Sequence, residues 1–405
     1  CYDLYEKKYS DSFVSYAQSV KLENTTNELL DPIIKLYSSE QLKLSFDILN
    51  SNNATYAYTF IHCNSEWEYS NIMQSEYLEG FFDHHIHNYN YSFNTLIPYI
   101  HFECVFPNED INFKKSGNYV ILIYDVEKNI PIITKRFMVY EEIINISMTV
   151  KKATLARDMY NKQEIDFFIT DFKKLNINDP HNELKILIQK NDDWNDIISN
   201  CRPSFIDNNK LEYDYQGDIS FLGGNEYRDF DLKSLRYYGK NIRNIDKKNI
   251  QGVNMYNVNL IKDKIEYSEE YIFKYDLNGK YVLSVSENRD KDIEGDYALV
   301  NFNLDIDKIH DKDIYIYGEL TNWDVLNNAK MTYNEKTKNY YGSLLLKQGY
   351  YNYQYIAVDR NNLFRIEGEY HETRNEYSIY TYYTPPWRDY DRLIGLAKST
   401  SNNLN

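Results

Sequence analysis

Residues Tyr317–Ala357 read YGELTNWDVLNNAKMTYNEKTKNYYGSLLLKQGYYNYQYIA, and this stretch decides the fold class. A glycine opens a loop that carries Trp323, and a polar hairpin follows. Two strands then flank a further glycine. Because side chains alternate along a strand, Tyr351, Tyr353 and Tyr355 share one face. The stretch therefore predicts antiparallel β structure with an aromatic face.

The same stretch resembles the early-set β-sandwich of glycogen- and starch-binding modules. In such modules exposed Trp and Tyr rings stack on sugar rings, and here Trp323 and the three tyrosines would supply them. An aromatic face can also pack a sandwich core or form a protein interface. We favour core or interface over sugar binding because of what the rest of the chain contains.

The amino-acid composition argues against some classes of binding partner. The 405 residues carry a net charge of -16, from 61 acidic and 45 basic residues. Nucleic acid and anionic lipid head groups need clustered Lys and Arg, so they are disfavoured. The 42 tyrosines favour half-buried strand surfaces. We find no apolar run of about 18 residues, so no transmembrane helix is predicted.

Strand patterns separated by turn signals divide the chain into β-rich units. In the first unit Leu42, Leu44 and Phe46 alternate with polar residues, as on a half-buried strand. We predict an all-β fold of consecutive β-sandwich domains, the last resembling an early-set, carbohydrate-binding-module-like sandwich. The predicted segments are an N-terminal extension (1–31), a first β-sandwich domain (32–142), a second β-rich domain (143–295), an early-set-like β-sandwich (296–385) and a C-terminal tail (386–405).

Several strings occur in a specific order in the first unit. They are SSEQLKLSFDIL (38–49), YTFIHCNSEWEYSNIMQSEYLEGF (58–81), YSFNTLIPYIHFECVFPNED (91–110), SGNYVILIYD (116–125) and RFMVYEE (136–142). Together they resemble the first domain of the plug protein family of the type IX secretion system of Bacteroidota. With RDFDLKSLRY (228–237) and the final third, the resemblance extends from about Tyr37 to Gly395.

The resemblance implies a periplasmic protein at the periplasmic face of the outer membrane. Its expected partner is the giant outer-membrane β-barrel translocon of the type IX secretion system. The plug would seal the periplasmic opening of that barrel by steric occlusion. On this interpretation the protein is not an enzyme, uses no cofactor, and inherits no catalytic residues from the family.

A carbohydrate-binding outer-membrane lipoprotein is the alternative function. It depends on the last unit alone. Under either function Cys1 is the candidate lipidation site, and its acyl chains would anchor the protein to the membrane. A polysaccharide hydrolase is a weaker third hypothesis. Glycosidases need two carboxylates about 5–10 Å apart across a cleft, and no signature selects such a pair.

The partner-binding candidates lie in predicted loops. Exposed Trp, Tyr and Arg residues dominate the binding energy of protein interfaces. The candidates are Trp67 and Tyr69 in NSEWEYSN, Trp323, and Trp387 and Arg388 in PPWRDYDR. Packing beneath a loop is the competing interpretation for each tryptophan.

Cysteines and histidines are assigned no catalytic or metal-binding role. Cys63 and Cys104 lie on mostly apolar strand faces, which favours buried free thiols over a Cys63–Cys104 disulfide. The cluster His84, His85 and His87 could bind zinc, but no further ligand stands at a standard spacing. We interpret these imidazoles as solvated or packing groups.

Overall fold

The computed structural model describes residues 8–49, 54–250, 252–265, 270–286, 289–360, 362–385 and 390–401. Within these ranges the chain forms three β-sandwiches, which confirms the predicted all-β fold. We name them the N-terminal, middle and inserted sandwiches. In the described part of the chain no helix has the length and apolar character needed to cross a bilayer.

The N-terminal sandwich uses the first twelve strands and one short helix, α1 (Gln74–Tyr77). The strands are β1 (Ser12–Phe13), β2 (Ala17–Asn24), β3 (Ile33–Lys35), β4 (Leu42–Leu49), β5 (Tyr56–Cys63), β6 (Leu78–Gly80), β7 (His84–His85), β8 (Tyr89–Tyr91), β9 (Tyr99–Phe106), β10 (Ile111–Phe113), β11 (Gly117–Asp125) and β12 (Ile130–Tyr140). One sheet has the order β1-β12-β11-β5-β7, with β3 parallel to β12; the other has the order β2-β4-β9-β8.

The core of this sandwich follows the predicted alternation. Leu42, Leu44 and Phe46 are fully buried and point between the two sheets. Phe46 lies directly opposite Phe102 on β9, and their rings stack with centroids 5.3 Å apart. Residues between these positions therefore point to the outer face of the sheet, where other parts of the molecule pack.

The middle sandwich begins with seven strands, one helix, α2 (Pro180–Glu183), and a 3-10 turn (Phe172–Leu175). The strands are β13 (Asn145–Lys152), β14 (Lys162–Thr170), β15 (Leu184–Lys190), β16 (Asp193–Ser199), β17 (Phe205–Asp207), β18 (Lys210–Tyr213) and β19 (Ser220–Leu222). One sheet has the order β13-β14-β18-β17, with β19 also paired to β14. The other sheet starts with the pair β15 and β16 and is completed much later in the chain.

The inserted sandwich follows with eleven strands and two 3-10 turns (Glu319–Thr321 and Asn327–Ala329). The strands are β20 (Arg228–Asp231), β21 (Ile242–Ile250), β22 (Val253–Leu260), β23 (Asp263–Lys264), β24 (Tyr281–Leu283), β25 (Tyr297–Asp305), β26 (Asp313–Tyr317), β27 (Thr332–Asn334), β28 (Asn339–Lys347), β29 (Gly349–Asp359) and β30 (Asn362–Arg365). One sheet has the order β21-β22-β25-β28-β27. The long strand β29 pairs with β20 and β24 in its first half and with β26 and β30 in its second.

The chain then returns to the middle sandwich. Strands β31 (Glu376–Tyr383) and β32 (Arg392–Thr400) complete its second sheet in the order β16-β15-β31-β32. Leu184 at the start of β15 lies opposite Tyr383 at the end of β31. The inserted sandwich is thus contained within the sequence of the middle one.

The structure divides the chain differently from the predicted segments. The predicted extension 1–31 contains β1 and β2, which are part of the N-terminal sandwich. The predicted division at 295/296 falls inside the inserted sandwich, which begins with β20. The predicted tail 386–405 contains β32, and its partner β31 lies in the predicted segment 296–385. Sheet pairing between distant strands sets these boundaries, and strand patterns do not report it.

Candidate functional site

Trp67 lies where the N-terminal sandwich packs on the middle one. Its side chain is only 3% exposed and meets Trp194 edge-to-face, with ring centroids 4.9 Å apart. Cζ of Arg136 lies 5.2 Å from the centre of the Trp67 ring and 5.1 Å from that of Trp194. Tyr69 packs at the margin of the same apolar cluster. Trp67 is therefore a junction residue and offers no exposed ring to a partner.

Trp323 occupies the junction between the inserted and middle sandwiches. Its ring is 8% exposed and lies between Tyr227 and Tyr317, at centroid distances of 6.0 and 5.7 Å. Nδ2 of Asn195, on β16, donates to the Trp323 carbonyl at 2.6 Å. The predicted role as an exposed anchor does not fit this position, because the middle sandwich covers the loop.

The tyrosine face of β29 forms the core of the inserted sandwich. Tyr351, Tyr353 and Tyr355 are all nearly or fully buried. The hydroxyls of Tyr353 and Tyr355 donate to Oδ2 of Asp263 at 2.7 and 2.6 Å. The aromatic rings that suggested sugar stacking are therefore used for packing within the domain.

Three predicted site residues cannot be placed. Cys1, Trp387 and Arg388 lie outside the described residues. Of the other cysteines, Cys63 and Cys104 are buried free thiols, as predicted. Burial raises the pKa of both thiols well above the ordinary range. This keeps the thiolate population low and makes both thiols poor nucleophiles.

A network of charges joins all three sandwiches. Asp31 of the N-terminal sandwich accepts from Nζ of Lys280 of the inserted sandwich at 2.8 Å. Lys280 also pairs with Asp192 of the middle sandwich, and Lys398 on β32 pairs with Asp31. Burial lowers the pKa of Lys398 to about 8. Breaking such a network leaves buried charges unpaired, so it holds the sandwiches in one arrangement.

A small cavity lies beside this network. Its volume is about 100 Å³, and residues of all three sandwiches line it, including Trp67, Lys280 and Trp323. Pockets that hold small-molecule ligands usually measure about 300–1,000 Å³. The cavity is therefore too small for a typical substrate and suits a few water molecules.

An exposed aromatic edge, Phe81–Phe93, closes one side of the N-terminal sandwich. Its strand β7 lies at the edge of one sheet and β8 at the edge of the other. Phe81, Tyr91 and Phe93 are 60–69% exposed, and Asp83 is the one carboxylate in the segment, which has no Lys or Arg. Exposed, charge-poor aromatic surface of this kind is typical of protein interaction sites.

Comparisons with known proteins agree with this architecture. Residues 17–141 match the family described as type 9 secretion system plug protein 1st domain. A crystal structure of a hypothetical protein from Parabacteroides merdae ATCC 43184 is 33% identical, covers 98% of this chain and 100% of its own, and has a TM-score of 0.92. The chain belongs to the type IX secretion system plug protein family.

Other comparisons add nothing to this assignment. The C-terminal domain of the antigen I/II-family protein AspA of Streptococcus pyogenes is 7% identical, covers 94% of this chain and 98% of its own, and has a TM-score of 0.16, so that likeness carries no argument. No curated protein matches the chain. Plug family membership associates the chain with the type IX secretion system, and the Parabacteroides structure shares its whole described fold.

Several important residues of this plug family member escaped the sequence analysis. Asp47 and His101 alternate with apolar residues that point into the core, yet the side chain of Asp47 is fully buried and His101 is 5% exposed. Trp194 and Lys347 were not considered. The sequence signal for these residues is weak. A charged residue in an apolar strand indicates that another domain covers the outer sheet face only if that domain is already known.

Proposed function

We propose that the chain is a non-enzymatic periplasmic plug subunit. It binds the outer-membrane barrel of the type IX translocon and occludes the periplasmic opening of that barrel. The observation that carries this proposal is the family match of the N-terminal sandwich, together with the 33% identical relative that shares the whole fold. The mechanism is steric, because the body of the protein fills an opening and unblocks it when displaced.

The architecture supports a steric role. A plug must keep its shape while it is pressed against a pore, and relative motion of domains is the default unless their interfaces are large or tightly bonded. Here the Asp31–Lys280 pair, the Trp67 cluster and the Asn195–Trp323 hydrogen bond tie each sandwich to the other two. We therefore expect the three sandwiches to move as one body.

The exposed aromatic edge is the proposed contact with the barrel. Its rings project from the edges of both sheets of the domain that carries the family match. Tyr237 and Tyr238 are also strongly exposed but lie on the inserted sandwich, so they provide a matched control. Changes to the edge should weaken barrel binding, whereas changes to the control pair should not.

Affinity capture from the source organism tests the proposal. The tagged wild-type chain should recover a very large outer-membrane barrel protein. The double variant Tyr91→Ser/Phe93→Ser should recover much less, and Tyr237→Ser/Tyr238→Ser the same amount as wild type. Recovery of no barrel protein by the wild-type chain would contradict the plug function. Equal recovery by all variants would contradict only the assigned contact.

A permeability measurement tests occlusion separately from binding. Deletion of the protein should raise outer-membrane permeability to large solutes, because an unplugged barrel leaks. Complementation with the wild-type chain should restore the barrier. Unchanged permeability in a deletion strain whose barrel is open would contradict the occlusion mechanism even if the barrel is captured.

A further inference from the structure

His101 presents a buried ring nitrogen that has no hydrogen-bond partner among the described residues. The residue lies on β9, on the outer face of its sheet, and is 5% exposed. Its Nδ1 lies 2.7 Å from Oδ1 of Asp47. Oδ2 of Asp47 accepts from Tyr297 and from Lys347, each at 2.7 Å, so the carboxylate acts only as an acceptor. A proton therefore resides on Nδ1 of His101, and Nε2 has no hydrogen-bond partner among the described residues.

Two carboxylates face this nitrogen. Glu103 projects from the same face of β9, two residues further on, and Asp292 comes from the inserted sandwich. One ligand atom from each of the three side chains lies within 4.8 Å of the other two. Nε2 of His101 is 3.9 Å from Oδ1 of Asp292. Two zinc bonds of about 2.0–2.2 Å at a tetrahedral angle place their ligand atoms roughly 3.4 Å apart, so a small adjustment closes the site.

Two other clusters of acidic residues each contain a lysine between their carboxylates. Asp31 and Asp192 are bridged by Lys280, and Glu164 and Asp166 are bridged by Lys151. In each of those clusters an ammonium group already supplies the positive charge.

At the third cluster the nearby ammonium of Lys347 donates to Oδ2 of Asp47 at 2.7 Å and to the main-chain carbonyl of Asp292 at 3.0 Å, so it does not bridge the carboxylates of Glu103 and Asp292. Among the described residues, neither Glu103 nor Asp292 forms an ion pair with Lys or Arg. The site also contains an imidazole whose orientation is fixed by a carboxylate, the arrangement usual for metal-bound histidine.

We propose that His101, Glu103 and Asp292 bind a divalent transition metal such as Zn²⁺, with water completing the coordination. One nitrogen and two carboxylate oxygens suit zinc. Asp47 is a positioning residue that orients the imidazole. Because Asp292 belongs to the inserted sandwich, the metal would tie that sandwich to the N-terminal one. This inference does not depend on the plug function.

Calorimetric titration with Zn²⁺ tests the site in the full chain, freed of metal by a chelator and carrying no polyhistidine tag. We expect one Zn²⁺ per chain. Glu103→Gln and Asp292→Asn should each weaken binding at least tenfold, since each removes a ligand from a partly exposed position. The matched control is Asp214→Asn, in the Glu164–Asp166–Asp214 cluster that lacks a histidine, and it should bind as wild type does.

A second control addresses the exposed imidazoles His85 and His87, whose ring centroids are 6.1 Å apart. His85→Gln should leave the zinc affinity unchanged. Zinc should also raise the thermal unfolding midpoint of the wild-type chain but not that of the Asp292→Asn variant. Absence of stoichiometric binding, unchanged affinity in both ligand variants, or loss of binding in His85→Gln would each overturn the proposal.

Discussion

Nζ of Lys347 lies 2.7 Å from Oδ2 of Asp47, and both side chains are 1% exposed. Asp47 is on β4 of the N-terminal sandwich, and Lys347 is the last residue of β28 in the inserted one. Tyr297 donates its hydroxyl to the same oxygen at 2.7 Å. A buried ion pair is stable only when each charge has its partner, because an unpaired buried charge is costly. Loss of either Asp47 or Lys347 should therefore destabilise this contact.

Lys347→Met should strongly destabilise the protein. It leaves the carboxylate of Asp47 buried without its ammonium partner, which typically costs about 3–5 kcal/mol. Urea unfolding followed by circular dichroism measures the effect. Lys308→Met is the matched control, because it breaks the exposed Lys308–Glu335 pair and should leave the midpoint nearly unchanged. Equal midpoints for the two variants would contradict the assigned role.

Trp67→Ala should loosen the contact between the N-terminal and middle sandwiches. Removing a buried indole typically costs about 3–5 kcal/mol, and here it also strips the apolar cover from Trp194. Urea unfolding and the near-ultraviolet circular dichroism of the aromatic side chains report the change. Tyr237→Ala removes a ring that is 73% exposed and should alter neither signal. A wild-type midpoint in Trp67→Ala would count against the junction.

Gly279→Ala should destabilise the protein more than Gly252→Ala. Both glycines have positive φ, +83° and +87°, so each alanine adopts an unfavourable left-handed conformation at a cost of about 1–2 kcal/mol. At Gly279 the new Cβ would also lie 2.2 Å from Cη2 of Trp323, whereas at Gly252 it meets nothing within 4 Å. Thermal unfolding of the pair isolates the clash, and equal losses would contradict it.

His62 should make stability depend on pH between about 6.5 and 4. Burial lowers the pKa of its imidazole to about 4, and the ring contacts Ser70 and Ser116. As pH falls through this window, the unfolded chain takes up a proton that the folded chain does not. The free energy of unfolding therefore falls with pH, by a total on the order of 3 kcal/mol.

Denaturant unfolding at a series of pH values checks this assignment. His62→Gln should flatten the decline between pH 6.5 and 4, whatever its effect on absolute stability. His85→Gln changes an exposed imidazole and should leave the decline as in wild type. If the His62→Gln and wild-type curves stay parallel, another group is responsible for the pH dependence.

Local patterns were sufficient to predict most strands of the N-terminal sandwich. Leu42, Leu44 and Phe46 alternate because one sheet face is buried, and the structure places them in the core. Alternation of apolar and polar residues did not predict strands whose side chains are mostly exposed. The hairpin β21–β22 exposes many side chains of both strands, so no alternation of apolar and polar residues marks it in the sequence.

The candidate sites depended on contacts that no local pattern encodes. From its sequence context Trp67 is predicted to lie in an exposed loop, but Trp194 of another sandwich covers its ring. His101 and Glu103 are two residues apart on one strand, but Asp292 joins them only through domain packing. Sequence similarity supplied the family, since many ordered motifs can be compared without knowing which strands pair.

The insertion of one sandwich within another constrains how the chain can fold as it emerges from the ribosome. All strands of the N-terminal sandwich lie within residues 12–140, so its core can form early. Strand β15 pairs with β31, which is synthesised much later. Until residues 376–383 have been made, the free edge of β15 can pair with other chains. The last two strands therefore complete the middle sandwich, and until they are made this sandwich is the part of the chain most exposed to aggregation.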